Sequence, residues 1–262
     1  MRPFSAAAIA LFAAAACSPK LAPTPAPPRT DQPAAAATPA PNAAARLADL
    51  PDCLKVEAKD DGDNGWKHPD CRLHEEKSGL NFTVQYGAPA LGKDGDKQTP
   101  LIIAVSPAGG AVLQTIAEKI GNTFAAPSLE DLNGDGFGEL LIPLDTANVN
   151  TNYAIWGAPP GANQFIRLGE ISAVNFGRTA DGFITASSRS SANSWAVEYF
   201  QLKDAELTPI ATVEVSAQGD PDHVTGLKCA LSATSGLESL KIDAKTAQAK
   251  FCAYPVARDI FK

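Results

Sequence analysis

The stretch 128-SLEDLNGDGFGELLIPLD-145 sets a dense run of oxygen-bearing side chains against an apolar segment. Asp131, Asn133 and Asp135 alternate, Gly136 follows, and Glu139 completes the set. Counted from Asp131, these residues occupy positions 1, 3, 5, 6 and 9, with the Phe137 carbonyl at 7. Hard oxygen ligands at this spacing wrap a calcium ion, and a glycine at position 6 permits the sharp turn. A complete EF-hand requires Glu at position 12, but that position is Ile142. The loop runs into "LLIPL", a strand-like run rather than a helix. The expectation is a structural Ca2+ held by Asp131, Asn133, Asp135, Phe137 and Glu139 at the edge of a β-sheet. The competing reading is a metal-free hairpin with Asn-Gly and Asp-Gly turns.

Outward from the loop, strand-like runs follow one another. They are Leu80–Tyr86, Leu101–Ser106, Ala111–Ile116, Leu140–Leu144, Tyr153–Trp156, Gln164–Leu168, Gly182–Ser187, Ser194–Leu202 and Leu207–Val215. Several alternate apolar and polar residues, as in "NFTVQY" and "WAVEYFQL", which places one face inward. The links carry turn chemistry, among them "GKDGDK", "SPAGGA" and "PPGAN". The fold class is therefore mainly all-β, an antiparallel sandwich or an irregular propeller-like arrangement of sheets with one calcium loop. Tyr153, Trp156, Trp195 and Tyr199 lie within strand-like runs and read as mostly core. Gly236 to Cys252 reads as either a helix or another hairpin.

The chain begins differently. Residues 1–16 carry Arg2, an apolar run and the end Ala14-Ala15-Ala16-Cys17. This resembles the lipobox of bacterial lipoproteins, which implies cleavage before Cys17 and lipidation of its thiol. Pro and Ala make up 18 of the 29 residues from Ser18 to Arg46, so residues 17–46 read as a lipidated cysteine and semi-extended tether. Ser18 is not the Asp that retains such proteins at the inner membrane in enteric bacteria. The expected location is the cell envelope, anchored in the outer membrane and facing the periplasm. Residues 47–262 remain for a disulfide-stabilised β domain.

Without its leader the chain loses Arg2, so its formal net charge moves from −7 to −8. An acidic chain with no basic cluster offers no footprint for nucleic acid, and it attracts cationic partners. Cys53, Cys71, Cys229 and Cys252 form an even set, as expected of an exported protein with two disulfides. Three pairings are possible, of which Cys53–Cys71 with Cys229–Cys252 is the simplest. The segment Asp52–Glu76 reads as irregular and pinned by its cysteines.

The signatures of catalysis are absent. "HEE" at His74–Glu76 is not HExxH, and neither GxSxG nor SxxK occurs. His68, His74 and His223 read as surface residues. The adjacent acids Glu75/Glu76 and Glu130/Asp131 are common on an acidic surface, although they could mimic glycosidase carboxylates. No catalytic residue is assigned, and the chain is read as a non-enzyme. The polar stretch "SSRSSANSW", Ser187–Trp195, reads as a loop joining two strands and a candidate binding element.

The loop "DLNGDGFGEL" resembles the calcium loops of FG-GAP and VCBS-type β proteins. It is followed by "NTNYAIWGAPPGANQFIRL" and "ITASSRSSANSWAVEYFQLKDAELTPI". The order of these segments, over roughly Leu80 to Val215, resembles the periplasmic immunity lipoproteins of bacteria-killing type IV secretion systems. Those proteins are similar in structure to inhibitors of invertebrate-type lysozyme. The resemblance implies a partner that is a peptidoglycan hydrolase or lysozyme-like glycosidase, blocked by a loop entering its cleft. On that reading Arg189 engages a catalytic carboxylate, flanked by Ser187, Ser188, Ser190, Ser191 and Trp195. The SGxxY signature of other lysozyme-inhibitor families is absent, since Ser78-Gly79 is followed by Leu80, Asn81 and Phe82. The alternative is a calcium-stabilised envelope module that binds glycan or protein without inhibiting anything. A third possibility is an unrecognised hydrolase.

Overall fold

The computed structural model describes residues 49–261 apart from 63–64, 94, 160–161, 163, 204 and 221–222. The expected signal peptide, the lipidation site Cys17 and the tether lie outside the described residues. Among the described residues no helix is long and apolar enough to cross a membrane.

The strands are β1 (Lys59–Asp60), β2 (Trp66–Lys67), β3 (Cys71–Glu75), β4 (Leu80–Tyr86), β5 (Ala90–Leu91), β6 (Lys97–Pro107), β7 (Gln114–Ile120) and β8 (Ser128–Glu130). They continue as β9 (Glu139–Ala147), β10 (Asn150–Gly157), β11 (Ile166–Ala173), β12 (Asn175–Arg178), β13 (Ile184–Ser191), β14 (Ser194–Lys203), β15 (Glu206–Asp220) and β16 (His223–Ala233). Three helices, α1 (Leu237–Leu240), α2 (Ala244–Ala253) and α3 (Pro255–Arg258), end the chain.

All pairings among named strands are antiparallel, and three larger sheets form in chain order. The first runs β3-β4-β6, with β5 and β7 both paired to β6. The second is the meander β8-β9-β10-β11, and the third is β12-β13-β14-β15-β16. The two-residue links β9–β10 and β13–β14 suit the antiparallel neighbours of the second and third sheets. The mainly β class with antiparallel sheets is as expected, and none of the sheets closes into a barrel.

The apolar periodicity shows how the sheets stack. Strand β3 buries Cys71, Leu73 and Glu75 and exposes the residues between, and β4 and β6 likewise turn Phe82, Val84, Leu101, Ile103 and Val105 inward. These side chains pack on Leu140, Ile142 and Ala154 of the second sheet. The opposite face of that sheet, with Leu141, Ile155 and Ile171, packs on Ile184, Ala186 and Phe200 of the third. Strand β9 is thus covered on both sides, which is why "ELLIP" is a continuous buried run instead of an alternating one. The far face of the third sheet carries Val197, Tyr199, Val213 and Val215, and the helices cover it with Leu237, Ala247 and Phe251. The Tyr199 hydroxyl donates to the Phe251 carbonyl at 2.8 Å, so its burial leaves no polar atom stranded.

The disulfides are Cys53–Cys71 and Cys229–Cys252. The first ties the opening segment to β3, and the second ties edge strand β16 to α2. The opening segment is less irregular than expected, since Cys71–Glu75 is a strand with a buried face. Ala111–Ile116 and Gln164–Leu168 each begin two or three residues early, because β7 and β11 start at Gln114 and Ile166. Gly236–Cys252 takes the helical alternative. Asp243 caps α2, its side chain accepting from the Thr246 N–H at 2.7 Å.

Candidate functional site

The loop between β8 and β9 winds around its own side chains. Asp131 accepts from the N–H groups of Gly134 and Gly136 at 2.6 and 2.9 Å. Asn133 Oδ1 accepts from the Asp135 N–H, and Asp135 Oδ1 from the Phe137 N–H, each at 2.8 Å. These are Asx turns, the reason alternate Asp and Asn residues suit a tight loop. Gly134 and Gly136 hold φ of 79° and 85°, a region open to glycine and costly for other residues.

Two carboxylates converge inside. The Asn133 amide Nδ2 donates to Asp135 Oδ2 at 3.1 Å and to Glu139 Oε1 at 2.9 Å. Glu139 is buried, and its second oxygen accepts from the Leu132 N–H at 2.8 Å. Burial pushes the Glu139 carboxyl up to about 7, and the charges of Asp135 and Asp131 add to the rise. Asp131, Asn133, Asp135 and Glu139 each carry a side-chain oxygen on one short loop, the chemistry that suits a hard divalent cation. This donor set fits the expected calcium. Among the described residues no three His, Cys, Asp or Glu side chains already stand at metal-binding spacing.

The outer face of the loop meets two cations from different sheets. Lys77, in the β3–β4 turn, donates to the Asp135 carbonyl at 2.5 Å and lies over the Phe137 ring, 3.9 Å from its centroid. Arg178, ending β12, donates to the Asn133 carbonyl at 2.9 Å. Both bonds use carbonyls and leave the carboxylates alone. The loop on the second sheet is thereby tied to the first and third, which makes it a brace across three layers. The glycines are needed here too, since a Cβ on Gly134 would overlap the Arg178 guanidinium.

The opposite end of β9 carries a different feature. Eight residue steps of about 3.3 Å each put the calcium-type loop roughly 26 Å from the β9–β10 turn. At that turn Asn148 has φ 57° and Val149 is exposed. The Asn150 side chain accepts from the Arg189 N–H at 2.7 Å and donates to the Arg189 carbonyl at 2.9 Å. This paired contact fixes the β13–β14 hairpin of the third sheet against the second.

Ser187–Trp195 is consequently not the loop expected from its composition. Strand β13 runs to Ser191 and β14 starts at Ser194, so only Ala192 and Asn193 turn. Ser187 is buried in the sheet and offers no contact surface. Ser188 is half-buried, whereas Arg189, Ser190 and Ser191 are exposed. Ser190 donates to Glu214 at 3.2 Å, and the Ser191 and Ser194 hydroxyls share a 2.8 Å bond. The Arg189 guanidinium folds over its own turn, with Nε donating to the Ser191 carbonyl at 3.2 Å and an Nη to that of Ala192 at 2.8 Å. It lies 5.0 Å from the Trp195 ring centroid.

The expected surface histidines divide. His74 is exposed and hydrogen-bonds Asn81, but His68 is buried. The His68 ring stacks on Tyr86 with centroids 4.9 Å apart, and its Nε2 donates to the Thr123 carbonyl at 2.8 Å. Burial lowers its pKa, with the carbonyl bond acting in the opposite sense. Glu75 caps its own turn, its oxygens accepting from the Lys77 and Ser78 N–H groups at 3.2 and 2.6 Å.

No family description matches this chain, and no curated protein matches it by sequence. A solved structure described as a Xanthomonas type IV secretion system related protein matches with a TM-score of 0.42 and 12% identity. The match covers 67% of this chain and 91% of that one. At that score it does not establish a shared fold.

Proposed function

We propose that this chain is a lipid-anchored envelope protein that inhibits a peptidoglycan-cleaving glycosidase by occluding its cleft, in an immunity-type role. The observation that supports this reading is the Asn150–Arg189 contact. It holds an exposed, arginine-bearing hairpin rigidly at one end of the stacked sheets. A preorganised hairpin loses little conformational entropy on entering a cleft. Arg189 uses two N–H groups on its own turn, and a guanidinium carries five. Its remaining edge suits a catalytic carboxylate, and glycosidases carry two such groups flanking the scissile bond. The sequence order resembling immunity lipoproteins and the acidic net charge point the same way, since acidic surfaces speed capture of cationic enzymes.

On this proposal calcium is a brace remote from the inhibitory surface. Asp131, Asn133, Asp135, Glu139 and the Phe137 carbonyl would hold it, and the lipid on Cys17 would place the domain in the periplasm. The test is titration of the purified protein against a panel of lysozymes and secreted peptidoglycan hydrolases, with Arg189→Ala alongside. Inhibition that saturates near one equivalent and weakens in the variant is the expected outcome.

A further inference from the structure

A cavity of about 780 Å³ lies between the β1–β2 hairpin, the start of β6 and the ends of β7 and β9. This is within the size range of small-molecule sites. It shares no lining residue with either the calcium-type loop or the Arg189 hairpin.

Its rim carries an aromatic ring. Trp66 keeps 37% of its surface exposed although Phe124 meets it edge-on, with ring centroids 6.0 Å apart and planes at 67°. Large aromatic groups normally bury their area in a core. Here two of them hold each other at the surface, and one lines a cavity.

Most of the walls are polar. Asp60, Asp96, Gln98, Lys119, Asn122 and Asp145 line the cavity. Asp145 is held in place, since its Oδ1 accepts from the Asn122 N–H at 2.8 Å. Gly121 makes that approach possible, because a Cβ there would stand 3.0 Å from the same oxygen. Gly65 places the hairpin backbone beside the Asn122 amide, where a Cβ would make an ordinary 3.4 Å contact with Oδ1.

Carboxylates accept, ammonium groups donate and amides do both. The three carboxylates are nearly balanced by Lys97 and Lys119, which favours neither a strongly anionic nor a strongly cationic ligand. An apolar ligand would strip water from these groups without replacing its hydrogen bonds. A ligand rich in hydroxyls, with one flat apolar face, satisfies both the walls and the rim. We propose that the cavity binds a short oligosaccharide, with a pyranose face against Trp66 and hydroxyls bonded to Asn122 and Asp145.

This assignment is independent of the inhibitor reading, and the two fail separately. Calorimetric titration of the full-length protein with cellotetraose, chitotetraose and soluble peptidoglycan fragments tests it, with Trp66→Ala and Asp145→Asn as variants. At least one saccharide binds with Kd below about 1 mM. Both variants weaken it at least about ten-fold, a loss of about 1.4 kcal/mol, while the melting temperature, and whatever hydrolase inhibition the native protein shows, are retained. Absence of heat with every saccharide up to about 10 mM, or binding that survives Trp66→Ala, overturns the assignment. Loss of hydrolase inhibition in Trp66→Ala also overturns it, by making the cavity a protein contact.

Discussion

The Asn150 side chain closes a two-bond ring with the backbone of Arg189, 39 residues away, accepting from its N–H at 2.7 Å and donating to its carbonyl at 2.9 Å. An amide side chain here acts as one further residue of strand pairing, and it joins the second sheet to the third. It uses donor and acceptor together, so no isosteric apolar residue can replace it.

Asn150→Ala should therefore loosen the hairpin without unfolding the protein. Two net hydrogen bonds at about 0.5–1.5 kcal/mol each set an upper scale, reduced by the exposure of the site. Chemical denaturation should show a loss of about 1 kcal/mol. Inhibition should fall by more than stability accounts for, because the free hairpin would have to be ordered on binding.

Calcium should raise the melting temperature relative to chelator. Free calcium at about 100 times Kd would contribute about 2.7 kcal/mol to stability. The paired replacement Asp131→Ala with Asp135→Ala should abolish the response. An unchanged melting temperature in the native protein would remove the metal from the account, leaving the loop a self-bonded turn.

Gly134→Ala strikes the same brace from outside. It demands φ near 79° of a residue with a Cβ and displaces Arg178 from the Asn133 carbonyl. The expected loss is about 1–3 kcal/mol by denaturation. A companion Arg178→Ala should cost less, since it removes one exposed bond without strain.

Asp181 makes stability depend on acid. Burial acts to raise its pKa, but hydrogen bonds from Lys250, Tyr254 and Thr179 outweigh it and hold the carboxyl at about 2, below its ordinary 3.8. The folded state therefore binds this proton less readily than the unfolded chain. The stabilisation is complete above pH 3.8 and is lost as pH falls through about 2. Asp181→Asn should lower stability at pH 7 and flatten the profile across that window, as followed by melting temperature against pH. Lys250 and Asp181 are both partly exposed, so added salt should shrink the difference.

The sheets were legible wherever one face is apolar. "NFTVQY" and "WAVEYFQL" alternate because β4 and β14 each bury one face, and "LLIPL" stands out because β9 is buried on both. Strand β12, "NFGR", was not legible, since its pairing with β13 is main-chain bonding with little apolar pattern. Strand β16 carries a similarly weak signal, as an edge strand whose apolar pattern is broken at Gly226. Ser187–Trp195 read as a loop because serine has little preference for strands, yet backbone pairing carries the hairpin almost to its tip. His68 read as exposed because its partner, the Thr123 carbonyl, is 55 residues away. The oxygen ligands of the loop were legible by spacing, but Lys77 and Arg178, which tie it to neighbouring sheets, carry no local signal. The Trp66 cavity was invisible for the same reason: its walls come from four separate segments.

The most direct test of the inhibitor reading is a titration of the native protein and Arg189→Ala against peptidoglycan hydrolysis, including any glycosidase encoded beside it. One hydrolase should be silenced near one equivalent of native protein, and the variant should need at least about ten times more, a change of about 1.4 kcal/mol. Full hydrolysis by every enzyme in the presence of excess native protein would rule the inhibitor reading out.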